Sequence, residues 1–482
     1  MAGPVPELTT RAAACAEALR AAESVLLASH IDADGLTSAA VATTALSRAG
    51  IDHEVAFEKQ LDADAIAGMA SRAFDTVLFT DFGSGQLDVI TDHEAAGDFT
   101  PVVADHHQPA DAETEFHLNP LLFDLDGSTE LSGAGTTYVL ARALGETRSD
   151  EPRAAGEAGA NRDLAALAVV GAVGDMQDST GELVGANRGI VAEGVAAGVL
   201  EETTDLALYG KQTRPLPKLL EYANDVRIPG ISGSERGATA FLSELEIDLE
   251  GENGWRRWVD LDSEERQRVA SGLLQRAVAR GVPADRIDDL VGTTYLLTDE
   301  PAGSQLRDAS EFSTLLNATA RYERADVGLA VCCGDRDEAL AEAETLLSNH
   351  RRNLATGIDW VKREGVTQAD HLQWFDAGER IRDTIVGIVA GMAMGTDGVR
   401  GDRPVIAFAT KNETETKVSA RGTHRLVRSG LDLSAVVGEA ARALDGDGGG
   451  HDVAAGATIP TDSKAAFVEH ADALVADQLG EA

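Results

Sequence analysis

Residues 101–109, PVVADHHQP, give the clearest indication of the fold of this chain. A run of small and apolar residues leads directly into one acid and two imidazoles, Asp105, His106 and His107. Buried strands of open α/β sheets end in this way where their last residues leave the sheet to hold a cation or a phosphate. A surface turn is the alternative for the triplet alone, so the other segments of the chain must decide between the two.

Three further apolar segments deliver the same kinds of side chain: SVLLASHIDADG, TVLFTDFGSG and LAALAVVGAVGD. Their polar residues are His30, Asp32, Asp34, Asp81 and Asp175. Residues two apart on an extended segment point to the same side, so the first three can converge. Because the carboxyl ends of parallel strands line one crevice, the four segments together predict a single shared site.

The chemistry of these side chains predicts a metal centre. A set rich in carboxylates, with imidazoles and without thiolates, suits hard or borderline divalent ions such as Mn²⁺ or Mg²⁺. Carboxylates that converge without partners repel one another and shift one another's pKa values. Two cations would neutralise the carboxylates and activate a bridging water, so the sequence predicts two ions, Mn²⁺ or Mg²⁺.

Five motifs carry a resemblance to a known family. In this order, SHIDADG, FTDFG, ADHH and VVGAVGD resemble the four motifs of the DHH phosphoesterase superfamily. The segment GGGHDVAAGA at Gly448–Ala457 resembles the signature of the substrate-binding domain in the RecJ-like branch of that superfamily. The length and the pair of domains are most similar to the archaeal RecJ-like exonucleases, which implies a single-strand-specific exonuclease.

The resemblance implies a role for each polar residue. The residues implied as metal ligands are His30, Asp32, Asp34, Asp81, His106 and Asp175, with Asp81 as the bridging carboxylate. Two further residues are implied to support catalysis. His107 would face the phosphate, and Asp105 would orient a histidine from behind the site.

Contacts to the substrate are predicted in two places. The segment ELSGAGTTYVLARAL begins a helix with small residues whose backbone N–H groups can approach a phosphate, although a plain capped helix is the alternative. Near the end of the chain, an arginine suited to phosphate binding precedes three glycines that allow close approach, unless those glycines form a flexible linker. The predicted substrate contacts are Ser132, Gly133, Arg421, Gly449, Gly450 and His451.

The pattern of apolar runs predicts an α/β fold in three parts. Residues 1–195 form a parallel, doubly wound catalytic domain, 196–295 a helical connector or inserted region, and 296–482 a smaller α/β substrate-binding domain. Predicted strands cover residues 24–29, 54–57, 76–80, 101–104, 292–300, 326–333, 371–376, 404–410 and 416–420. Predicted helices cover residues 8–22, 36–48, 62–73, 130–144, 163–174, 309–323, 336–353 and 379–394.

The charge of the chain is unusual for a nuclease. The 81 Asp and Glu residues against 41 Lys and Arg give a net charge of −40, and only seven of the cations are lysines. A nucleic-acid-binding protein is expected to carry a basic face. The acidic excess is spread along the chain, which is typical of proteins adapted to a cytoplasm of molar salt, where screening shortens the range of repulsion.

Other features of the sequence favour a soluble cytoplasmic protein. No apolar run reaches 18 residues, and the amino terminus lacks a basic-then-apolar signal pattern. The three cysteines form no CxxC pair, so disulfides are not expected. The small basic cluster in KQTRPLPK is interpreted as a solvated loop, with a contact to a nucleic-acid strand as the alternative.

The expected substrate is single-stranded DNA, or RNA, in replication or repair. Two alternatives remain open from the sequence. One is a phosphohydrolase of the same superfamily that acts on small molecules or short oligonucleotides and shares every metal ligand. The other is a scaffold in a replication complex, because the resemblance also implies association with the GINS complex.

The charge generates a prediction about stability. Because repulsion among carboxylates must be screened for the compact state to persist, the melting temperature should rise strongly between about 0.1 M and about 3 M KCl. Thermal melts followed by circular dichroism across this range measure the effect. A flat profile would contradict the halophilic interpretation and would turn the acidity into an argument against nucleic acid as substrate.

Overall fold

The computed structural model describes residues 3–146, 159–223, 226–251, 254–396 and 398–480. Contacts between residues divide the chain into two units, Met1–Glu344 and Thr345–Ala482. Residues 296–344, which the sequence analysis assigned to the third part, fall in the first unit, since a helix within this range packs against helices of the amino-terminal sheet. Within the described residues, no helix combines the length and the apolar character needed to span a membrane.

The strands of the first unit include the four predicted near the start of the chain. They are β1 (Val25–His30), β2 (His53–Glu58), β3 (Thr76–Thr80), β4 (Thr100–Ala104), β5 (His117–Leu118), β6 (Leu200–Leu206), β7 (Glu250–Gly251), β8 (Gly254–Trp255) and β9 (Val291–Leu297). The first five form one parallel sheet in the order β2-β1-β3-β4-β5. The strands β6 and β9 pair antiparallel, as do β7 and β8.

Helices cover both faces of the parallel sheet. The helices of the first unit are α1 (Thr9–Ala21), α2 (Ala33–Arg48), α3 (Ala63–Ala70), α4 (Leu87–Ala96), α5 (Gly133–Leu144), α6 (Ala165–Gly174), α7 (Asn187–Ala197), α8 (Leu216–Glu221), α9 (Glu235–Glu244), α10 (Ser263–Ala279), α11 (Ala284–Asp288), α12 (Ala309–Arg321) and α13 (Ala325–Cys332). On one face, Ile66 of α3 and Ile90 of α4 pack against Phe79 of the sheet. Helices α2 and α5 contact the sheet on its other face, and α6 packs against both of them. The doubly wound α/β prediction is therefore confirmed.

A second unit carries a mixed sheet. After α14 (Glu338–Glu364), its elements are β10 (Thr367–Gln368), β11 (Gln373–Asp376), α15 (Val386–Ala393), β12 (Val405–Thr410), β13 (Glu415–Arg421), α16 (His424–Arg428), α17 (Leu433–Arg442), β14 (Asp447–Gly450), β15 (Ala454–Pro460) and α18 (Lys464–Leu479). The six strands lie in the order β10-β11-β12-β13-β15-β14, with only the β11–β12 pair parallel. One face buries a core that includes Phe408, Val437 and Phe467.

The predicted strand at residues 326–333 is wrong, because this segment forms α13. A short apolar run such as DVGLAVCC has the composition of a buried strand and of a buried helix alike. In the helix, Val327 and Val331 lie one turn apart and are both buried. Tertiary packing explains the outcome, since a Cβ added at Gly328 would lie 2.7 Å from the Leu36 side chain, so α13 approaches α2 closely.

Candidate metal centre

The predicted polar residues converge at the carboxyl edge of the parallel sheet. The Asp81 carboxylate lies between two imidazoles, with Oδ1 3.3 Å from His106 Nε2 and Oδ2 3.5 Å from His30 Nδ1. Asp34 approaches the same nitrogen of His106, with Oδ2 3.8 Å from Nε2. Asp175, which follows α6, has Oδ2 3.8 Å from Nδ1 of the same ring. One carboxylate with an oxygen toward each histidine is the arrangement expected of a bridging ligand.

A backbone carbonyl fixes the orientation of His106. Its Nδ1 lies 2.7 Å from the carbonyl oxygen of Gly127, and because a carbonyl only accepts, Nδ1 carries the proton. If the ring loses its second proton to become a ligand, the lone pair is therefore on Nε2, the atom nearest Asp81 and Asp34. Histidines that bind metals are held in this way, with one ring nitrogen donating to a carbonyl or a carboxylate.

The backbone at Asp81 has an unusual conformation. Its φ is +60°, in the left-handed region that side chains other than glycine, asparagine and aspartate rarely adopt. The strand β3 ends immediately before this residue, and its amide donates to the carbonyl of Ala104 at 3.1 Å. This turn places the carboxylate at the sheet edge and buries it to 2% exposure. Strained backbone of this kind is concentrated at functional sites.

The start of α5 binds a carboxylate of the site. The amides of Gly133 and Ala134 donate to the two oxygens of Asp34 at 2.7 and 3.0 Å. Ser132 caps the same helix, with Oγ accepting from the amide of Gly135 at 3.1 Å. The sequence predicted phosphate contacts at Ser132 and Gly133. In the structure, the first free amides of the helix donate to Asp34 instead. A buried carboxylate is stable only when donors surround it.

Asp105 is fully buried and orients its neighbours. One oxygen accepts from the His107 ring at Nδ1, 2.8 Å away, and from the amides of His106 and His107. The other oxygen accepts from the amide of Ser84 at 2.9 Å. With four donors around it, Asp105 is suited to hold the two histidines in place. The His107 ring is 56% exposed, so its remaining nitrogen is accessible to a ligand.

Asp32 links the first strand to the first helix of the motif. Its Oδ1 caps α2 by accepting from the amide of Gly35 at 3.0 Å, and its Oδ2 lies 3.1 Å from Nδ1 of His30. The next amide in the chain, that of Ala33, donates to Oδ1 of Asn317 on α12 at 3.1 Å. Asp32 is therefore close to the other predicted metal ligands, and it also stabilises the start of α2.

Several residues that support the centre carried no recognisable signal in the sequence. Gln177 donates from Nε2 to Asp175 Oδ2 and to the carbonyl of Gly127, both at 2.9 Å, and its own oxygen accepts from Asn187 at 2.7 Å. Asn119 donates to the carbonyl of His107 at 2.8 Å. Amide side chains are common in loops and do not by themselves indicate a role. For Gln177, the one available signal was its position two residues after Asp175.

Charges at the centre strongly affect one another. Burial, followed by the charges of Asp81 and Asp175, raises the pKa of Asp34 well above its usual value. Burial also raises the pKa of Asp81, but hydrogen bonds to His106 and His30 outweigh it and hold that pKa far below its usual range. Burial lowers the pKa of His30, whereas hydrogen bonds to Asp32 and Asp81 raise it to about 11. The carboxylates therefore require positive charge beside them.

The donor set fits a divalent cation. Among the described residues, three groups place one ligand atom per residue within 4.8 Å of the others. The groups are Asp81, Asp105, His106 and His107; His30, Asp32 and Asp81; and Asp34, His106 and Asp175. Every donor is a carboxylate oxygen or an imidazole nitrogen, which suits Mn²⁺ or Mg²⁺. The residues shared between groups, Asp81 and His106, join the three into one continuous centre.

The predicted substrate contacts near the end of the chain lie on the sheet of the second unit. Arg421 ends β13, and its side chain lies 2.5 Å from where a Cβ would stand at Gly387 of α15. Gly449 and Gly450 are part of β14 at the edge of the sheet, so this segment is a strand and not a flexible linker. His451 follows directly and is exposed.

Two basic residues of the cluster KQTRPLPK, Lys211 and Arg214, contact neighbouring residues of the first unit. Lys211 is 4% exposed, and its ammonium donates to the carbonyl of Leu206 and to Thr294 Oγ1. The Arg214 guanidinium lies 4.6 and 5.1 Å from the ring centroids of Tyr209 and Tyr222. Lys211 therefore ties this segment to β9. The interpretation of the segment as a solvated loop had predicted that Lys211 faces solvent.

Three family models match successive parts of the chain. The model of the DHH family N-terminal domain matches residues 24–172, which contain every predicted metal ligand except Asp175. The DHH-CID domain matches residues 208–291, and the DHHA1 domain matches residues 371–477. The chain belongs to the DHH superfamily. It combines the fold of the DHH phosphoesterases with an acidic cluster suited to a cation.

Similar proteins cover almost the whole length of this DHH protein. An uncharacterized protein of Methanocaldococcus jannaschii is 28% identical over 458 residues, 93% of each chain. RecJ of Thermus thermophilus in complex with Mn²⁺ has a TM-score of 0.61 and 18% identity, over 99% of this chain and 56% of that one. CDC45 of Entamoeba histolytica has a TM-score of 0.63 and 11% identity over 97% of each chain. The chain thus spans just over half of the Thermus RecJ, with which it shares its fold.

The close approach of α5 to Asp81 generates a prediction. A Cβ at Gly133 would lie 2.4 Å from Asp81 Oδ1 and 2.8 Å from its Cβ. Gly133→Ala must therefore displace the carboxylate, and we expect Mn²⁺ affinity, measured by isothermal titration calorimetry, to fall by about tenfold or more. Unchanged affinity in this variant would contradict the central position of Asp81.

A matched control is Gly68→Ala in α3. A Cβ at this helical position has no heavy atom within 4 Å. The substitution should leave Mn²⁺ affinity unchanged, and it should raise the free energy of unfolding by up to about 1 kcal/mol, because alanine restricts the unfolded chain. Denaturant unfolding of both variants separates loss of the cation site from general destabilisation.

Proposed function

We propose that this protein is a metal-dependent phosphodiesterase that degrades single-stranded nucleic acid from an end. DNA is the favoured substrate and RNA the alternative, in replication or repair. The proposal depends above all on the Asp81 carboxylate, which lies between His30 and His106 at the edge of a parallel sheet. The similarity in fold to RecJ, whose Thermus structure contains Mn²⁺, supports it.

The proposed metal ligands are the six residues that the sequence analysis identified. They are His30, Asp32, Asp34, Asp81, His106 and Asp175, and they would hold two ions, Mn²⁺ or Mg²⁺. When bound, such ions activate water and stabilise the negative charge that develops on phosphate oxygens. Backbone groups hold two of these ligands in place, since the amide of Gly133 donates to Asp34 and His106 Nδ1 lies 2.7 Å from the carbonyl oxygen of Gly127.

His107 and Asp105 are the proposed catalytic pair beside the ions. The hydrogen bond to Asp105 raises the pKa of His107, so Nδ1 keeps its proton and the imidazolium form is favoured. An imidazolium with one exposed nitrogen can donate a hydrogen bond, or a proton, to a phosphate or leaving oxygen. Asp105 itself is buried behind the ring, which makes it a positioning residue.

The second unit is proposed to bind the adjoining part of the substrate strand. Arg421 can bind a phosphate through two parallel N–H groups, and glycines of β14 allow a strand to approach the backbone. Gly449, Gly450 and His451 are proposed to take part in this contact. The three-part division at 195/196 and 295/296 is retained as a proposal for the catalytic, connecting and substrate-binding functions.

A second proposed function is that of a scaffold in a replication assembly such as the GINS complex. The observation in its favour is the similarity in fold to CDC45 over 97% of each chain. The two functions are compatible, because the metal centre occupies one edge of one sheet and leaves other surfaces available.

Substitution of Asp81 tests the catalytic proposal. We choose Asp81→Asn because asparagine tolerates the positive φ at this position and keeps the shape of the side chain. Loss of the shared carboxylate charge should lower the rate of degradation of end-labelled single-stranded DNA and RNA, in high salt with Mn²⁺, by about 1000-fold or more.

The matched control for this experiment is Asp88→Asn, at an exposed position in the first turn of α4. It removes the same charge from the chain and should retain the rate of the unmodified protein. If Asp81→Asn, shown to be folded and to bind Mn²⁺, kept near-normal turnover, the proposed role of the centre would be wrong.

Substitution of Arg421 separates a nuclease from a small-molecule phosphohydrolase. Arg421→Ala should weaken the capture of a long single strand by about 1–3 kcal/mol, the range for a lost charge-assisted contact. Hydrolysis of a small chromogenic phosphodiester and Mn²⁺ binding should not change, because an arginine offers nothing to a cation. Equal loss on the small and the long substrate would favour the small-molecule phosphohydrolase.

A further inference from the structure

We infer that Lys417 of β13 binds a phosphate of the substrate strand that Arg421 does not reach. The second unit then holds the strand at two separate phosphates. This inference rests on the proposed function, since it names a further positioning residue for the same substrate. It concerns one face of the β13–β15–β14 sheet, which we call the small-residue lane.

The register of the strands defines the lane. Lys417, Ser419 and Arg421 alternate along β13 and therefore point to one face of the sheet. The Cα partners of these three residues on β15 are Thr458, Gly456 and Ala454, and Gly456 in turn pairs with Gly449 of β14. A row of serine and glycines thus crosses three strands, with Lys417 on one side and Arg421 on the other.

The two faces of these strands differ in their packing. Val418, Ala420 and Ala457 point to the opposite face and are buried in the core with α17 and α18. On the lane face, the residues of β15 are all half-buried and small. A Cβ built at Gly449 would have no heavy atom within 4 Å, so the space above this part of the lane is open.

The Lys417 side chain extends over the lane. A Cβ at Gly456 would lie 3.4 Å from its Nζ and 3.7 Å from its Cε. The ammonium group of Lys417 therefore lies above Gly456 of the neighbouring strand.

Ser419 gives independent support for a ligand in the lane. It is 6% exposed, and its hydroxyl makes no hydrogen bond within the described part of the chain. The Oγ atom would lie 3.0 Å from a Cβ at Gly387, so α15 borders this end of the lane. A hydroxyl without a partner in the described residues can donate to a ligand, and a phosphate oxygen is a suitable acceptor.

The charges around the lane favour an anion with a regular repeat. Lys417 is one of only seven lysines, and a second one, Lys411, has Nζ 3.5 Å from Oγ1 of Thr458, the β15 partner of Lys417. Within β13, β15 and β14 the acids are Glu415, which is paired with Lys411, and Asp447, the first residue of β14. Alternate residues of a strand lie about 6.6 Å apart. Lys417, Ser419 and Arg421 therefore form a row at intervals comparable to the phosphate repeat of an extended nucleic-acid strand.

Binding of fluorescently labelled single-stranded oligonucleotides tests the inference. Fluorescence anisotropy is measured on the full chain without Mn²⁺, from the lowest KCl concentration at which the chain is folded upward. Lys417→Ala should weaken binding about tenfold and reduce the slope of log affinity against log salt by about 0.7, the value for one phosphate contact on a single strand. Lys417→Arg should restore both, and Asp447→Asn should strengthen binding.

The control is Lys464→Ala at the start of α18, where the lysine pairs with Asp376. It removes the same charge and should change neither the affinity nor the salt slope. Equal effects of Lys464→Ala and Lys417→Ala would show general attraction and contradict a specific contact. An unchanged salt slope in Lys417→Ala would also overturn the inference.

Turnover separates the failure of this inference from the failure of the proposed function. With Mn²⁺, Lys417→Ala should raise KM for long single strands about tenfold at constant kcat and leave a small chromogenic phosphodiester unaffected. If Lys417→Ala lost activity on both substrates, the inferred role of Lys417 would be wrong, but the proposed function would stand. If the unmodified chain hydrolysed neither substrate, the proposed function would fail, while the anisotropy experiment would still decide whether the lane binds a strand.

Discussion

The shared carboxylate of Asp81 is the constraint on which the rest of the structure depends. It lies between two imidazoles at the edge of the sheet, and three neighbouring elements have little freedom because of it. The turn after β3 requires a positive φ, and α5 must begin with a residue that has no side chain. A second carboxylate, Asp34, takes the free amides of α5. The position of α5 thus follows from the charges that it must accommodate.

This arrangement trades stability for function. Burial of several carboxylates beside one another opposes folding, and hydrogen bonds from backbone amides and imidazoles offset that cost only in part. The same groups become favourable ligands once divalent cations are present. The polar residues behind the centre, such as Asp105 and Gln177, have their hydrogen bonds satisfied by the protein, which keeps the ligands in place. Rigid positioning of this kind would suit the proposed phosphodiesterase, in which ions and substrate must meet with little rearrangement.

The sequence predicted the amino-terminal sheet and the convergence of its polar ends. It could do so because carboxylate and imidazole side chains directly follow the apolar strands. It could not predict α13, since DVGLAVCC has no periodicity that separates a helix from a strand. The sequence also could not show whether the amides of the SGAGT segment bind a phosphate or a carboxylate of the protein. Their partner, Asp34, lies 99 residues away from Gly133. The edge strand β14 was missed for a related reason, as glycine-rich segments have low strand propensity and pair only when a neighbour such as β15 is available.

The most direct test of this account is anomalous diffraction at the manganese edge from crystals grown with Mn²⁺. The account predicts anomalous peaks within about 2.2 Å of His106 Nε2 and of an Asp81 oxygen, with His106 Nδ1 still bonded to the carbonyl of Gly127. Peaks elsewhere, or a His106 ring that turns Nδ1 toward the ion, would contradict it.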